Sequence, residues 1–491
     1  MRWFILLLAL AAARGQDTCQ SSTEPQYLLF GTKTAYNYVN RNLPNLNPQN
    51  IPGCQAKAIW LLNRHGSTNP EADELPQLRH LTAFRDNVVK NYHNGYNKEV
   101  GLGYTRIFQW GSGVFTLRLC NGGWSQNDNW ISTNVKRTEK LMCLGDQSLL
   151  TRWTWNPRQN LTFAGDLTTN GYMRTEELAQ SWVSRYPSLL TDNKHDYLVS
   201  FLNSKKPTHR KLTYNLDFPD KFCPAWSRDI GDSNETLRQR DIFESKHEWA
   251  EMVSNISSRL GFTYDIDRSI IKNIYQMCRY NKAWDITQIS PWCSAFSRED
   301  LRRFEYAEDL ETFYKYGYGS ETSPKLACPL IKDMMDFFNK HVNANVPQQP
   351  VSQILFGEAP ALLLLTGALG GRRDDAPLTG DNFHTVPTQS RKWSSSAASP
   401  FNGNLAAILY KCNPNGNFGY KDRHQILFLQ NEQTMDLPFC KVGLCEWPDL
   451  KVRLGDIASK CNLDFCNGAA TLNSVVALCV GLFAFFVRYL V

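Results

Sequence analysis

Runs of lysine and arginine are missing from this chain, and so is any marked excess of one charge: 53 Lys+Arg stand against 47 Asp+Glu, a net +6 in 491 residues. That balance excludes the footprint of a nucleic-acid binder and leaves room for a local basic pocket that holds an anion. Internal repeats and long low-complexity linkers are also lacking; Ser394 to Ser399 is too short to be one. No paired C-x-x-C set has zinc-finger spacing. No apolar run reaches the ~20 residues that a membrane-spanning helix needs. What is present is 42% hydrophobic, 20% charged and 12% aromatic, with 14 cysteines. Such a mixture builds a packed core and rules out disorder or a collagen-like repeat. The length allows two to three domains or one large two-lobed enzyme.

Both ends carry address signals. Arg2, the apolar stretch Phe4 to Ala13 and the small residues Ala11, Ala13 and Gly15 read as a secretory signal peptide over residues 1–15, with the mature chain starting near Gln16. The alternative, a buried first helix, lacks amphipathic or capping organisation. At the other end, Val475 to Val487 is apolar and is preceded by the small residues Asn467, Gly468, Ala469 and Ala470. Residues 467–491 therefore read as a glycolipid (GPI) anchor signal, with a weak transmembrane anchor as the alternative. Either places the protein in the secretory pathway and on the cell surface. The sequons at Asn160, Asn234 and Asn255 fit that compartment, in which disulfides are the default use of the thiols. Removing Cys479 with the tail leaves an odd number, and Cys120 is the candidate for the unpaired one. Two pairs are close enough in sequence to suggest short loops, Cys440 with Cys445 and Cys461 with Cys466.

Along the middle, Ala56 to Asn63 fits a buried strand that delivers the chain to Arg64-His65-Gly66. Helical spacing predicts helices over 172–190, 243–260 and 298–316. Strand-like runs recur at 351–356, 405–410 and 425–429. Strands at both ends with helices between them predict an α/β core with a helical insert. Residues 101–135, rich in Gly, Asn and Trp without a clean period, read as a loop or insertion, or as a fault in the gene structure.

The heptad Arg64-His65-Gly66-Ser67-Thr68-Asn69-Pro70 is the chemically informative one. A neutral imidazole can attack phosphorus to form a phosphohistidine when guanidinium groups hold the phosphate oxygens and an acid protonates the leaving oxygen. An arginine beside the histidine suits that task, because its planar fork grips phosphate in a way that lysine cannot copy.

The heptad resembles the R-H-G-x-R-x-P signature of the histidine acid phosphatases, and the chain from about 28 to 445 resembles their multiple inositol polyphosphate phosphatase branch. The likeness is carried by Phe30-Gly31-Thr32-Lys33-Thr34, Leu167-Thr168-Thr169-Asn170-Gly171, Arg185-Tyr186-Pro187, Ser290-Pro291-Trp292-Cys293, Asp309-Leu310, Tyr316-Gly317-Tyr318-Gly319 and Leu355-Phe356-Gly357. It implies a phosphoglycerate-mutase-like α/β core, with a mainly parallel sheet flanked by helices, plus a helical cap domain. The implied boundaries are 16–215 for the first part of the core, 216–345 for the cap and 346–466 for the second part. It further implies a phosphohistidine intermediate on His65, Arg64 as phosphate ligand, no metal or other cofactor, and phosphomonoesters such as inositol polyphosphates or 2,3-bisphosphoglycerate as substrates. Lys33 is a candidate extra cation for a polyanion, or else a solvated surface lysine.

The departures matter equally. Thr68 stands where the signature has its second arginine, removing a charge-assisted contact of about 1.5 to 3 kcal/mol. The acid motif Gly-His-Ala-Glu is replaced by Gly357-Glu358-Ala359-Pro360, so a proline holds the acid's place. Glu358 is the local carboxyl left to stand in, displaced by two residues, ~7 Å along an extended strand. A further arginine, in an R-x-x-x-S pattern, is not found between Val199 and Cys223, which offers only Arg210. Ser132-Thr133 with Arg137-Thr138 resembles it but precedes Leu167, the wrong chain order. Two functional classes therefore stand: a membrane-anchored phosphatase with substitutes for the lost groups, and a pseudophosphatase ectodomain with a binding role.

Overall fold

The computed structural model describes residues 19–20, 29–40, 50–99, 105–110, 113–118, 141–202, 223–231, 233–343, 350–385, 390–441 and 443–467. The signal peptide, the residues after Asn467, Cys120, Cys479, Arg210 and the Ser132–Thr138 segment lie outside the described residues. Among the described residues no helix is long and apolar enough to cross a membrane.

The chain forms two compact units. The first comprises residues up to Leu28, Asn69–Asp166 and Lys246–Leu301; the second comprises Leu29–Thr68, Leu167–Ser245 and the chain from Arg302 onward. This differs from the expected 216–345 insert, and packing explains why. Helix α8 (Cys328–Asn343) buries Leu330, Ile331, Met334 and Phe338 in the same core as Trp60 and Leu62 of the central strand, so that part of the chain belongs with the sheet.

The first unit is mainly helical: α1 (Leu81–Glu99), α2 (Leu144–Arg152), α5 (His247–Arg259) and α6 (Arg268–Trp284), with a hairpin of β2 (Thr105–Trp110) and β3 (Gly113–Arg118). The hairpin lies within 101–135, where a loop or an insertion is expected; residues 119–135 lie outside the described residues. The second unit holds a mixed sheet in the order β4–β5–β1–β6–β7–β8, with β9 also on β7. Its strands are β1 (Cys54–Arg64), β4 (Tyr197–Phe201), β5 (Ser352–Gly357), β6 (Asn404–Cys412), β7 (His424–Gln430), β8 (Gln433–Thr434) and β9 (Leu444–Glu446). The expected parallel part is β4–β5–β1; from β6 outward the pairing is antiparallel.

Strand β1 is apolar on both faces because both are covered. Trp60 and Leu62 face α8, α9 (Ala359–Ala368) and α10 (Trp447–Ser459), while Ile59 and Leu61 face Leu178, Trp182 and Tyr186 on and just after α3 (Thr169–Arg185). The period of two sends alternate side chains into two cores, giving an α/β/α sandwich. Helix α9, with Leu362 to Leu365 fully buried, is apolar all round, as a helix enclosed on every side must be.

Two expected helices have different bounds. The run 172–190 stops at Arg185, because Tyr186 precedes Pro187 and is driven out of the helical region. The run 243–260 is two helices, α4 (Asn234–Ser245) and α5, broken at Lys246 in an extended conformation. The remaining long helix, α7 (Arg298–Tyr316), matches its predicted span.

Among the described residues, six disulfides join Cys19–Cys143, Cys54–Cys412, Cys223–Cys466, Cys278–Cys293, Cys328–Cys461 and Cys440–Cys445. The suggested Cys461–Cys466 pair is thus corrected: each partner reaches instead into the cluster around Leu326, Ala327 and Trp226 and ties the C-terminal segment to it.

Candidate active site

Strand β1 ends at Arg64, in parallel register with Gly357 at the end of β5. The next residues in line are His65 and Glu358, and they meet: His65 Nε2 lies 2.6 Å from Glu358 Oε2. Register explains why Glu358, two positions early in the motif, reaches the histidine. It needs no reach along its own strand, since the neighbouring strand delivers the imidazole beside it.

The other ring nitrogen settles the tautomer. His65 Nδ1 lies 2.7 Å from the carbonyl oxygen of Gly66, which can only accept, so Nδ1 carries a proton and Nε2 is the nitrogen with chemistry to do. Burial raises the Glu358 carboxyl, but the hydrogen bond from His65 and the positive charges of His65 and Arg64 outweigh it, leaving the group below its ordinary value. The carboxylate form of Glu358 is therefore favoured. The two side chains are 25% and 29% exposed, so the pair is within reach of a solute.

Arg64 is 7% exposed. Its Nη1 donates to the carbonyls of Thr32 and Ser399, the latter at 2.8 Å, and its guanidinium stacks 4.6 Å from the ring centre of Phe401. Phe401 also flanks the His65 ring, at 5.8 Å. His65 O accepts from Asn402 N at 2.9 Å, and Asn402 Nδ2 donates to Thr175 Oγ1 at 2.7 Å. Phe401, Asn402, Thr175 and the Ser395–Ser399 turn were not foreseen from the sequence; Asn402, with φ of 57°, gives no signal short of the fold.

The loop after His65 is clamped by the start of α3. Thr168 N donates to Ser67 O at 2.9 Å, and Thr68 forms an isolated antiparallel bridge with Leu167. Gly66 and Gly171 touch so closely that a Cβ on Gly66 would stand 2.2 Å from Gly171 O. The segment 167–171 thus has a local reason for its glycine and its capping threonine, whose hydroxyl accepts from Gly171 N at 2.9 Å.

Thr68 is nearly buried, and Pro360 occupies the first turn of α9, where its missing N–H costs nothing. Lys33 lies half-buried in the 31–33 turn, adjacent to Thr32. Among the described residues, potential metal donors cluster at Cys19, Cys143 and Asp146, and the two sulfurs there are joined to each other. Asn160 and Asn234 are exposed, and Asn255 is half-buried on α5.

A histidine and an arginine thus stand at the end of the central strand of an α/β sandwich, with a carboxylate against the histidine Nε2. The profile of the Histidine phosphatase superfamily (branch 2) matches residues 214–428. The matched stretch contains β5, Glu358 and β6; the Arg64–His65 pair precedes it. The chain is 28% identical to multiple inositol polyphosphate phosphatase 1 of Drosophila melanogaster, over 96% of this chain and 95% of that protein. To the protein of the same name from Homo sapiens it is 24% identical, over 91% and 89%. Its fold is similar to the crystal structure of the phytase from D. castellii, with a TM-score of 0.53 at 13% identity, covering 86% of this chain and 84% of that one.

Proposed function

We propose that the chain is a phosphomonoesterase acting through a phosphohistidine on His65, with inositol polyphosphates or a bisphosphoglycerate as substrates. The observation that carries this reading is the Nδ1–H bond to Gly66 O, which leaves Nε2 as the nucleophile beside the Arg64 guanidinium. In the first step the N–P bond forms as the O–P bond breaks, and the leaving oxygen takes a proton; in the second, water cleaves the N–P bond and phosphate departs. Attack requires the Nε2 lone pair, and Glu358, the carboxyl at hand, delivers the proton to the leaving oxygen. Arg64 holds the phosphate oxygens, and Lys33 supplies a further cation for a polyanion. The substrate class is supported by the names of the relatives.

The contact of the Glu358 carboxylate with Nε2 also favours a second reading, a catalytically impaired pseudophosphatase with a binding role, because an anion stands where the phosphate must enter. General acid help is typically worth ~10² to 10⁴-fold, and one preorganised charge contact ~10² to 10³-fold. Without an arginine at 68 and an acid at 360, turnover is expected about four to seven decades below an intact enzyme. Hydrolysis of para-nitrophenyl phosphate, whose leaving group needs little protonation, should be weak yet measurable at acidic pH, should vanish in His65→Ala, and should exceed that of inositol hexakisphosphate. A rate indifferent to His65→Ala would overturn the phosphohistidine reading.

We further infer that the protein is processed at a signal peptide and held on the cell surface by a GPI anchor. Six disulfides and the exposed Asn160 and Asn234 support passage through an oxidising compartment. Phosphatidylinositol-specific phospholipase should release the protein from expressing cells; retention with Val491 still detected by mass spectrometry would point to a transmembrane anchor.

A further inference from the structure

Arg64 donates to two backbone carbonyls, and both of them belong to segments moored on one turn of α7. The first is Thr32 O. Thr32 itself donates twice to a single oxygen, Oε1 of Glu308, from its N–H at 2.8 Å and its hydroxyl at 2.7 Å. Gly31 accounts for the closeness of that contact: its φ of +59° lies in the left-handed region, and a Cβ there would stand 2.2 Å from Glu308 Cδ. Only glycine fits on both counts.

The second oxygen is Ser399 O, at the C-cap of the one-turn helix Ser395–Ala398. That turn is fixed by Asp309, whose Oδ1 accepts from Ser395 N at 2.7 Å and from Ser395 Oγ at 2.5 Å. The buried Arg391 locks Asp309 in turn, with Nε at 2.6 Å from Oδ2, and reaches Glu305 at 3.2 Å. The two segments are also tied to each other, since Gly31 N donates to Ser396 Oγ at 2.8 Å.

A planar guanidinium binds phosphate well only when its plane is preset, and a misplacement of ~1 Å can cost about a hundredfold. Two carbonyls on Nη1 help to set that plane. We propose that Glu308 is a positioning residue for phosphate binding, acting with Asp309 to hold the two carbonyls that orient Arg64. The proposal rests on the reading of Arg64 as the phosphate ligand.

The test is binding of inorganic phosphate to the full-length protein by calorimetry, with thermal unfolding followed alongside, in a double-mutant cycle. Glu308→Ala should weaken phosphate about tenfold or more. Glu308→Gln should bind within about twofold of wild type, because the amide oxygen accepts both Thr32 bonds. In an Arg64→Ala background, Glu308→Ala should have no further effect. Wild-type affinity in folded Glu308→Ala, or a loss that persists undiminished when Arg64 is already absent, would overturn the proposal. Should Glu308→Ala fail to fold, Ser396→Ala runs the same cycle, with a loss of roughly threefold expected and wild-type affinity again overturning it. Wild-type affinity in Arg64→Ala alone would instead sink the assignment of Arg64, a separate and distinguishable failure.

Discussion

His65 Nε2 and Glu358 Oε2 lie 2.6 Å apart, and the titration of Glu358 bears on how the site responds to pH. Glu358 titrates below its ordinary value because the His65 hydrogen bond and the nearby positive charges outweigh the burial that would raise it. With the folded value below the unfolded one, the contact contributes stability above the ordinary carboxylate range and loses it as pH falls through the lowered value. The same protonation removes a negative charge from the place an anion must occupy. Affinity for inorganic phosphate, which is mainly a monoanion below about pH 6, is therefore expected to rise as pH falls from 6 through the lowered Glu358 value. In Glu358→Gln it should already be high at pH 6 and should stay flat, with a gain of about five- to tenfold once screening is allowed for. Calorimetric titrations at three pH values check this; a wild-type affinity that falls on acidification would show that Glu358 is not the competitor.

At the scale of elements, the parallel ladder of β1 with β5 decides which residues meet. Arg64 pairs with Gly357, so whatever follows Gly357 stands beside His65. Glu358 therefore reaches the imidazole, while Pro360 sits in the first turn of α9 as a helix-starting residue. A glutamate at 360 is compatible with that turn, since the positive end of the helix dipole favours an acid there. The triple change Glu358→His, Pro360→Glu and Thr68→Arg should thus fold and should raise kcat/KM for para-nitrophenyl phosphate by at least ~10²-fold. A properly folded triple variant with no gain would mean that a part beyond these three is missing. The sequence made the strand ends and the motif residues legible, because an apolar run and a polar heptad are local signals. It did not show that Glu358 would face Nε2, because that contact depends on the register between strands 293 residues apart.

For the whole molecule, long-range cross-links are the main covalent feature. Cys54–Cys412 and Cys223–Cys466 close loops spanning 358 and 243 residues. Each is expected to contribute on the order of 2 to 5 kcal/mol. Cys54→Ala with Cys412→Ala should lower the thermal midpoint measurably while leaving the helix content intact, as read by calorimetry and circular dichroism. An unchanged midpoint would show that the β1–β6 ladder alone holds that end of the two central strands. Cys440–Cys445 could be read from its spacing. Cys461 and Cys466, equally close in sequence, pair elsewhere, with Cys328 and Cys223. Proximity along the chain limits which pairs can form, and only the fold selects among them.

The sequence by itself determined the α/β class, the buried central strand, the histidine and arginine at its end, and the loss of the second arginine and the acid. Each of these is written in adjacent residues, as periodicity or as a short motif. The tertiary structure decided the contact of His65 Nδ1 with Gly66 O, the seat of Glu358 on Nε2, and the mounting of Arg64 on carbonyls held by α7. It also decided that α8 belongs with the sheet. All of these depend on contacts between residues far apart in the chain, whose distances are set by packing and strand register and leave no local trace.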